Sequence, residues 1–243
     1  MLNLVSIADN VWVASQPQKF YGLEVGTRMT IIRLSDGELV LISPIQLEEG
    51  DRPLLQKLGT VRHIIAPNRF HHLYIAPTKA MFPDAMVWGV EGLEEKRPDL
   101  NLDQLLNQAG SFQGELEYLP FRGFGTVLPW RIELANETVF FHRPSRSLII
   151  TDIAFNFDEE SDGLLQVGAR LLGSYKILKP TILEKFGSRE KAQVAESIQQ
   201  VFEWDFERII LAHGGIIEHH GKEKLRAGYE WFLGYSLEAQ TAR

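Results

Sequence analysis

The sequence predicts an α/β fold: an αββα sandwich of two mixed β-sheets flanked by helices, built as a single domain over residues 1–243. Three observations lead there. Apolar strands fall into two groups, one in each half of the chain, and each group carries helical spacing with it. The Asp36-Gly37 dipeptide joins two apolar runs as a hairpin within the first group. No internal repeat and no low-complexity linker divides the halves, so both groups belong to one domain.

Val11–Ala14, Met29–Leu34 and Glu38–Ser43 read as an N-terminal meander of strands. Glu48–Leu58 carries Leu54, Leu55 and Leu58 at helical spacing with Gly59 just beyond as the stop. Arg62–Ala66 is a short apolar strand that runs directly into Pro67-Asn68-Arg69-Phe70-His71-His72. Met86–Gly89 is a further strand, and Leu102, Leu105 and Leu106 mark a short helix closed by Gly110. In the second half, strands are expected at Glu115–Leu119, Arg131–Leu134, Thr138–Phe141 and Ser147–Thr151, with Asn136-Glu137 turning the second of these into the third. Ile153–Ser188 reads as one long, loosely helical segment. A clear amphipathic helix follows, with Val194, Ile198, Val201 and Phe202 on one face. Arg208–Ala212 is the closing strand, Leu225, Tyr229 and Phe232 stripe a last helix, and the polar tail from Glu238 is expected to fray.

Twenty-five basic and 32 acidic side chains leave a formal charge of −7, which argues against nucleic acid as a partner because its binders present a basic stripe. No run of about 18 apolar residues is present to span a bilayer, and the first residues lack a signal-peptide pattern, so a cytoplasmic protein with no membrane partner is expected. The absence of cysteine removes disulfides, thiolate zinc sites, iron–sulfur clusters and thiol nucleophiles. Any metal must therefore be held by His, Asp or Glu. No phosphate-binding loop, Gly-x-Ser-x-Gly elbow or His-Glu-x-x-His helix is found.

The histidines are unevenly placed. His71 and His72 follow a strand, His142 ends Phe140-Phe141-His142, Asp152 ends Leu148-Ile149-Ile150-Thr151-Asp152, and His213 ends Ile209-Ile210-Leu211-Ala212-His213. A polar side chain at a strand's C-terminal end points out of the sheet into a crevice while the apolar strand stays packed, which suits a cysteine-free metal site. The alternative is that each histidine caps its strand or binds a backbone carbonyl. His63 within its strand reads as packing, and His219-His220 as an exposed turn.

These parts, in this order, resemble the metallo-β-lactamase-like hydrolase superfamily: a meander, an apolar strand entering a His-rich loop, a strand ending in Asp and a closing strand ending in His-Gly. The family's Thr-His-x-His-x-Asp-His loop falls on Ala66 to His72, with Pro67 and Arg69 at the two leading histidines, His71 at the aspartate and His72 at the final histidine. The Phe-x-His-x-Pro run at His142 is similar to the third-histidine segment of the flavodiiron branch. Asp152 matches the bridging aspartate and His213 the last histidine. The family's early Val-Asp-x-Gly is here Leu41-Ile42-Ser43-Pro44. The chain thus looks like a divergent branch with a degraded loop.

The resemblance implies one surviving metal site with His71, His72, Asp152 and His213 as ligands, holding a single Zn or Fe ion. The implied function is a metal-dependent hydrolase that activates water for attack on an ester, amide or phosphoester, with His142 and Arg69 as catalytic residues. His142 would orient substrate or act as general acid. Arg69 would fill the vacated first-metal space and pair with Asp152. A small-molecule substrate is expected, anionic if Arg143 and Arg146 bind it. The alternative is a metal-free, non-catalytic relative that kept the fold as a binding or interaction module.

Overall fold

The computed structural model describes residues 2–159 and 161–237. In the first half, β1 (Val5–Ala8) and β2 (Val11–Gln16) are followed by a small hairpin, β3 (Lys19–Phe20) with β4 (Leu23–Glu24), and then by β5 (Thr27–Arg33) and β6 (Glu38–Ile42). Gly37, at φ 85°, makes the β5–β6 turn expected from its sequence. The half continues through α1 (Arg52–Leu58), β7 (Thr60–Ile65), α2 (Ile75–Met81), β8 (Met86–Gly89), α3 (Leu93–Lys96) and β9 (Gln104–Leu105). These strands form a seven-stranded sheet in the order β1-β2-β5-β6-β7-β8-β9, antiparallel as far as β6 and parallel from β6 onward.

The helix expected at Leu102–Leu106 is instead this edge strand, with the helix lying earlier at α3. Val87 N–H donates to Asp103 Oδ2 at 2.7 Å, Leu106 N–H donates to the Gly89 carbonyl, and Leu102 packs where a Cβ on Gly89 would lie. Tertiary pairing overrides the short helical spacing.

The second half holds β10 (Gly110–Phe112), β11 (Leu116–Phe121), β12 (Gly125–Leu128), β13 (Arg131–Leu134), β14 (Glu137–His142) and β15 (Ser147–Ile150). Helices α4 (Gly163–Leu172), α5 (Ile182–Gly187) and α6 (Lys191–Val201) then lead to β16 (Arg208–Leu211) and α7 (Gly221–Leu233). The second sheet runs β10-β11-β14-β15-β16, antiparallel except for the parallel β15–β16 pair. Two expectations are corrected. Arg131–Leu134 pairs with β12 in a separate ribbon and does not turn into β14, because Ala135 N–H bonds the Phe124 carbonyl and Asn136, at φ 47°, redirects the chain. The segment 153–188 is two short helices: Gly173 at φ 83° ends α4, and a Thr181/Glu184 capping box starts α5.

Near-continuous apolar strands in the second sheet have a simple cause, since both of its faces are covered. Phe140, Ile149 and Ile210 face a core shared with the first sheet, which also takes in Leu55 of α1, Ile75 of α2 and Leu93 of α3. Their neighbours Phe141, Leu148, Ile209 and Leu211 face Val194, Ile198 and Val201 of α6 and Leu225, Tyr229 and Phe232 of α7. The arrangement is the expected helix–sheet–sheet–helix sandwich. Among the described residues, no helix is long and apolar enough to cross a membrane. The polar tail from Glu238 lies outside the described residues.

Candidate metal centre

Three chain segments meet at one edge of the sandwich. Ala212 N–H donates to the Ile150 carbonyl, and Ile150 pairs with Leu211 across parallel strands. Asp152 and His213 therefore leave the second sheet side by side. Arg28, from β5 of the first sheet, donates to the Leu211 carbonyl and ties this strand end to the other half. His71 arrives from the loop after β7. That loop is shaped by the buried Asn68, whose Oδ1 accepts from Phe70 N–H at 2.8 Å and His71 N–H at 2.9 Å. Asn68 Nδ2 reaches across to Asp152 Oδ2 at 2.7 Å, Thr151 Oγ1 at 2.8 Å and Glu137 Oε2 at 3.2 Å.

The result is a compact set of donors. His71 Nε2 and His213 Nε2 are 3.0 Å apart, His71 Nε2 is 3.4 Å from Asp152 Oδ2, and His213 Nε2 is 3.4 Å from Asp152 Oδ1. The two carboxylate contacts run to different oxygens, and one ligand atom from each of His71, Asp152 and His213 lies within 4.8 Å of the other two, a group of three residues able to hold a metal ion. Two imidazoles and a carboxylate are also the set used for non-haem Fe²⁺.

Outer contacts orient each donor. His213 Nδ1–H donates to the Gly26 carbonyl at 2.7 Å, which turns Nε2 inward. Ser43 Oγ lies 2.6 Å from His71 Nδ1, and its hydroxyl can accept from or donate to that nitrogen. Two Nε2 lone pairs cannot face each other at 3.0 Å; a proton or a cation must lie between them. Burial by itself would raise the Asp152 carboxyl, but the facing His71 and His213 hold it well below its ordinary value. Behind it, Glu137 accepts Thr151 N–H at 2.7 Å and Asp152 N–H at 2.6 Å, while burial and the Asp152 charge push its carboxyl up to about 7.

Other expected residues lie elsewhere. His72 turns away from His71 and places Nδ1 2.9 Å from Arg97 Nη1; burial, with the Lys96 and Arg97 cations, pulls its imidazole down to about 4. His72 therefore does not join the group formed by His71, Asp152 and His213. His142 ends β14, which is antiparallel to β15, so its C-terminal end lies opposite Asp152, five residues or about 17 Å along the strand from Glu137. There it binds Ser145 Oγ through Nδ1 at 2.7 Å. Arg143 and Arg146 follow it to that far end, where they pair with Glu117 and Asp205. Arg69 does not pair with Asp152. Its Nη2 lies 3.8 Å from Glu133, a buried carboxylate that Lys96 and Arg131 also engage. His63 accepts from Trp88 Nε1 at 3.0 Å, as its packing role requires, and His219 lies 3.9 Å from Glu207.

Asn68, Ser43 and Glu137 are the contributors missed in the sequence. Asn68 had a local signal, an Asx residue heading the His-bearing loop. Ser43 and Glu137 had none, since each reaches the site from the strand beside it in its own sheet.

The sequence matches the family described as Domain of unknown function (DUF4336) over residues 8–175. No curated protein matches it. Among solved structures, a metallo-β-lactamase from Hirschia baltica superposes with a TM-score of 0.63 at 12% identity, covering 96% of this chain and 97% of that one. A metallo-β-lactamase from Pontibacter korlensis gives a TM-score of 0.56 at 12% identity over 100% of both chains. The Flv1 flavodiiron core from Synechocystis sp. PCC6803 gives 0.62 at 13% identity, covering 96% of this chain and 61% of that one. The chain has the metallo-β-lactamase fold.

Proposed function

The chain belongs to the DUF4336 family, and from that premise and the geometry of its candidate centre we propose that it is a hydrolase using one metal ion held by His71, Asp152 and His213. The observation that carries this reading is the convergence of one ligand atom from each of the three residues within 4.8 Å, the two Nε2 atoms 3.0 Å apart and each 3.4 Å from an Asp152 oxygen. Bound there, Zn²⁺ or Fe²⁺ would supply Lewis-acid polarisation of a substrate oxygen and activation of water. The chain's own residues do the rest. Gly26 and Ser43 hold the two imidazoles in line, Asn68 aims the Asp152 carboxylate, and Glu137 pins the backbone that carries it. Phe155, whose ring lies 6.1 Å from His213, and Phe70, next to His71, give the site an apolar flank that limits water.

The substrate is a small molecule with an ester, amide or phosphoester bond. A second reading, a metal-free binding module, is favoured by one observation: a single proton between His71 and His213 satisfies the 3.0 Å contact without a metal.

Elemental analysis of protein purified without added metal, and again after chelation and reloading, separates the two. The expected result is a stoichiometry near one for the reloaded wild type and near zero for His213→Ala and Asp152→Asn, with hydrolysis of a nitrophenyl ester or phosphodiester following the metal. Wild type that takes up no Zn²⁺ or Fe²⁺ while folded overturns the proposal.

A further inference from the structure

Two hairpins from opposite halves of the chain meet beside the loop that carries His71. Phe20 and Tyr21, at the tip of the β3–β4 hairpin, are 44% and 53% exposed, and Trp130, at the tip of the β12–β13 hairpin, is 74% exposed. Their contacts run in a closed circuit. The Phe20 ring centroid is 4.7 Å from that of Tyr21 and 6.4 Å from that of Phe70, and Tyr21 lies 5.7 Å from Trp130. Lys96 Nζ sits 4.8 Å from the Phe70 ring centroid and 3.2 Å from Glu133, which Arg131, the neighbour of Trp130, also pairs. Exposed rings and cations thus share one rim.

Arg69 stands in that rim without a hydrogen-bond acceptor among the described residues. The nearest carboxylate oxygen, Glu133 Oε1, is 3.8 Å from Nη2 and is already engaged by Lys96 at 3.2 Å. With Arg131, three cations share one carboxylate. Arg69 Nε is buried with no partner and lies against the Gly92 backbone, where an added Cβ would come within 3.3 Å of it. Nε thus forgoes water without replacement, and the excess positive charge has no counterion in this cluster, which points to an anionic ligand. The Nη edge is the open one, and its fork matches two oxygens of a carboxylate, sulfonate or phosphate.

We propose that this rim binds a small aromatic anion, its charged group on the Nη edge of Arg69 and its ring against Phe20, Tyr21 and Trp130. Edge-to-face and offset contacts with those side chains suit a planar apolar group. Asn68 fixes the amides of both Phe70 and His71, so the rim and the candidate centre share one loop. That the aromatic anion is the substrate rests on the hydrolase reading above; its binding does not. Rings mixed with cations also adsorb to anionic bilayers. Here the Glu133 side chain is 4% exposed, and those of Arg69 and Lys96 are only about a quarter exposed, so a small ligand reaches these cations and a flat surface does not.

The test uses protein held in chelator, so that metal plays no part, with two probes of one shape, 2-naphthoate and its neutral amide, and acetate as the anion without a ring. Calorimetric titration of wild type should show 2-naphthoate binding at least roughly tenfold tighter than either the amide or acetate. Arg69→Gln should erase the preference for naphthoate over the amide. Trp130→Ala, at an exposed tip, should weaken both aromatic probes, and both variants should keep the wild-type circular dichroism spectrum. Wild type that binds the three probes equally, or none of them, overturns the proposal. So does a naphthoate affinity that Arg69→Gln leaves unchanged, or adsorption to phosphatidylglycerol vesicles that Trp130→Ala abolishes. Metal uptake should be the same in Arg69→Gln and wild type. A chain that takes up no metal yet keeps these affinities overturns the hydrolase reading and upholds the binding site.

Discussion

His213 Nδ1 donates to the carbonyl of Gly26 across 187 positions of sequence, so the residue that closes the second sheet is oriented by the loop that follows the first hairpin. A backbone acceptor cannot be removed by a side-chain mutation. It holds the His213 ring with Nε2 turned toward His71 and Asp152.

Metal should therefore stabilise the folded chain specifically through these residues. At a free metal concentration about 100 times the dissociation constant, binding contributes about 2.7 kcal/mol. For a chain of this length that is a rise in Tm of about 5–10 °C. Differential scanning fluorimetry with Zn²⁺ or Fe²⁺ should show this rise in wild type and none in His213→Ala or Asp152→Asn. An equal rise in all three would place the ion elsewhere.

Asn68 joins the His71 loop to Asp152 and should matter twice. Asn68→Ala leaves the Phe70 and His71 amides and a carboxylate oxygen without their partner, a loss of about 1–3 kcal/mol. Urea unfolding in the presence of a chelator reads that term alone. Loss of an outer contact to a ligand should also weaken metal binding by roughly 10–100-fold, which titration of the folded protein measures. If affinity is unchanged, Asn68 shapes the loop without aiming Asp152.

Arg69 and Glu133 should differ sharply although they face each other. Arg69 is a quarter exposed and 3.8 Å from Glu133, which keeps Lys96 and Arg131, so Arg69→Ala should cost less than about 1 kcal/mol. Glu133→Gln leaves three cations without their buried carboxylate and should cost about 1.5–3 kcal/mol, with the difference narrowing in high salt. Had Arg69 been the counterion of Asp152, it would have been the costlier loss. Paired denaturation curves at low and high ionic strength decide between these outcomes.

Glu184 should give the fold a pH dependence away from the candidate centre. Burial raises its carboxyl above the ordinary 4.5, against the hydrogen bonds it accepts from Thr181 N–H and Thr126 Oγ–H, each at 2.8 Å. A raised folded-state value means that folding takes up a proton where the unfolded carboxyl is ionised. Stability from this group is therefore full below about pH 4.5 and is lost as pH rises through the folded-state value. Glu184→Gln keeps an acceptor for Thr181, and Thr126 can turn to accept its amide. The variant should flatten the fall in urea midpoint above pH 4.5, and an unaltered slope would assign that dependence to other groups.

Much of this molecule follows from local pattern. The αββα architecture was legible because strand and helix spacing depends on which faces are apolar, and the Leu148–Asp152 and Ile209–His213 runs carry that information within a few residues. Their polar ends were legible for the same reason: an ionisable residue closing an apolar strand must leave the sheet. Which ends meet was not. A strand's C-terminus has no side of the sandwich until its pairing direction is known, and β14 runs against β15, so His142 and Asp152 end at opposite edges. His71 and His72 are neighbours in sequence, yet one faces Asp152 and the other Arg97. Successive side chains diverge, and the Asn68 turn determines which of them points inward. Gly26 joined the site through a contact between the two sheets, and Ser43 and Glu137 through strand neighbours within their own sheets. By itself, then, the sequence determined most of the long strands, the layers and the kind of donors available. Only the tertiary structure decided which three donors converge, because convergence depends on pairing direction and on hydrogen bonds between segments far apart in the chain.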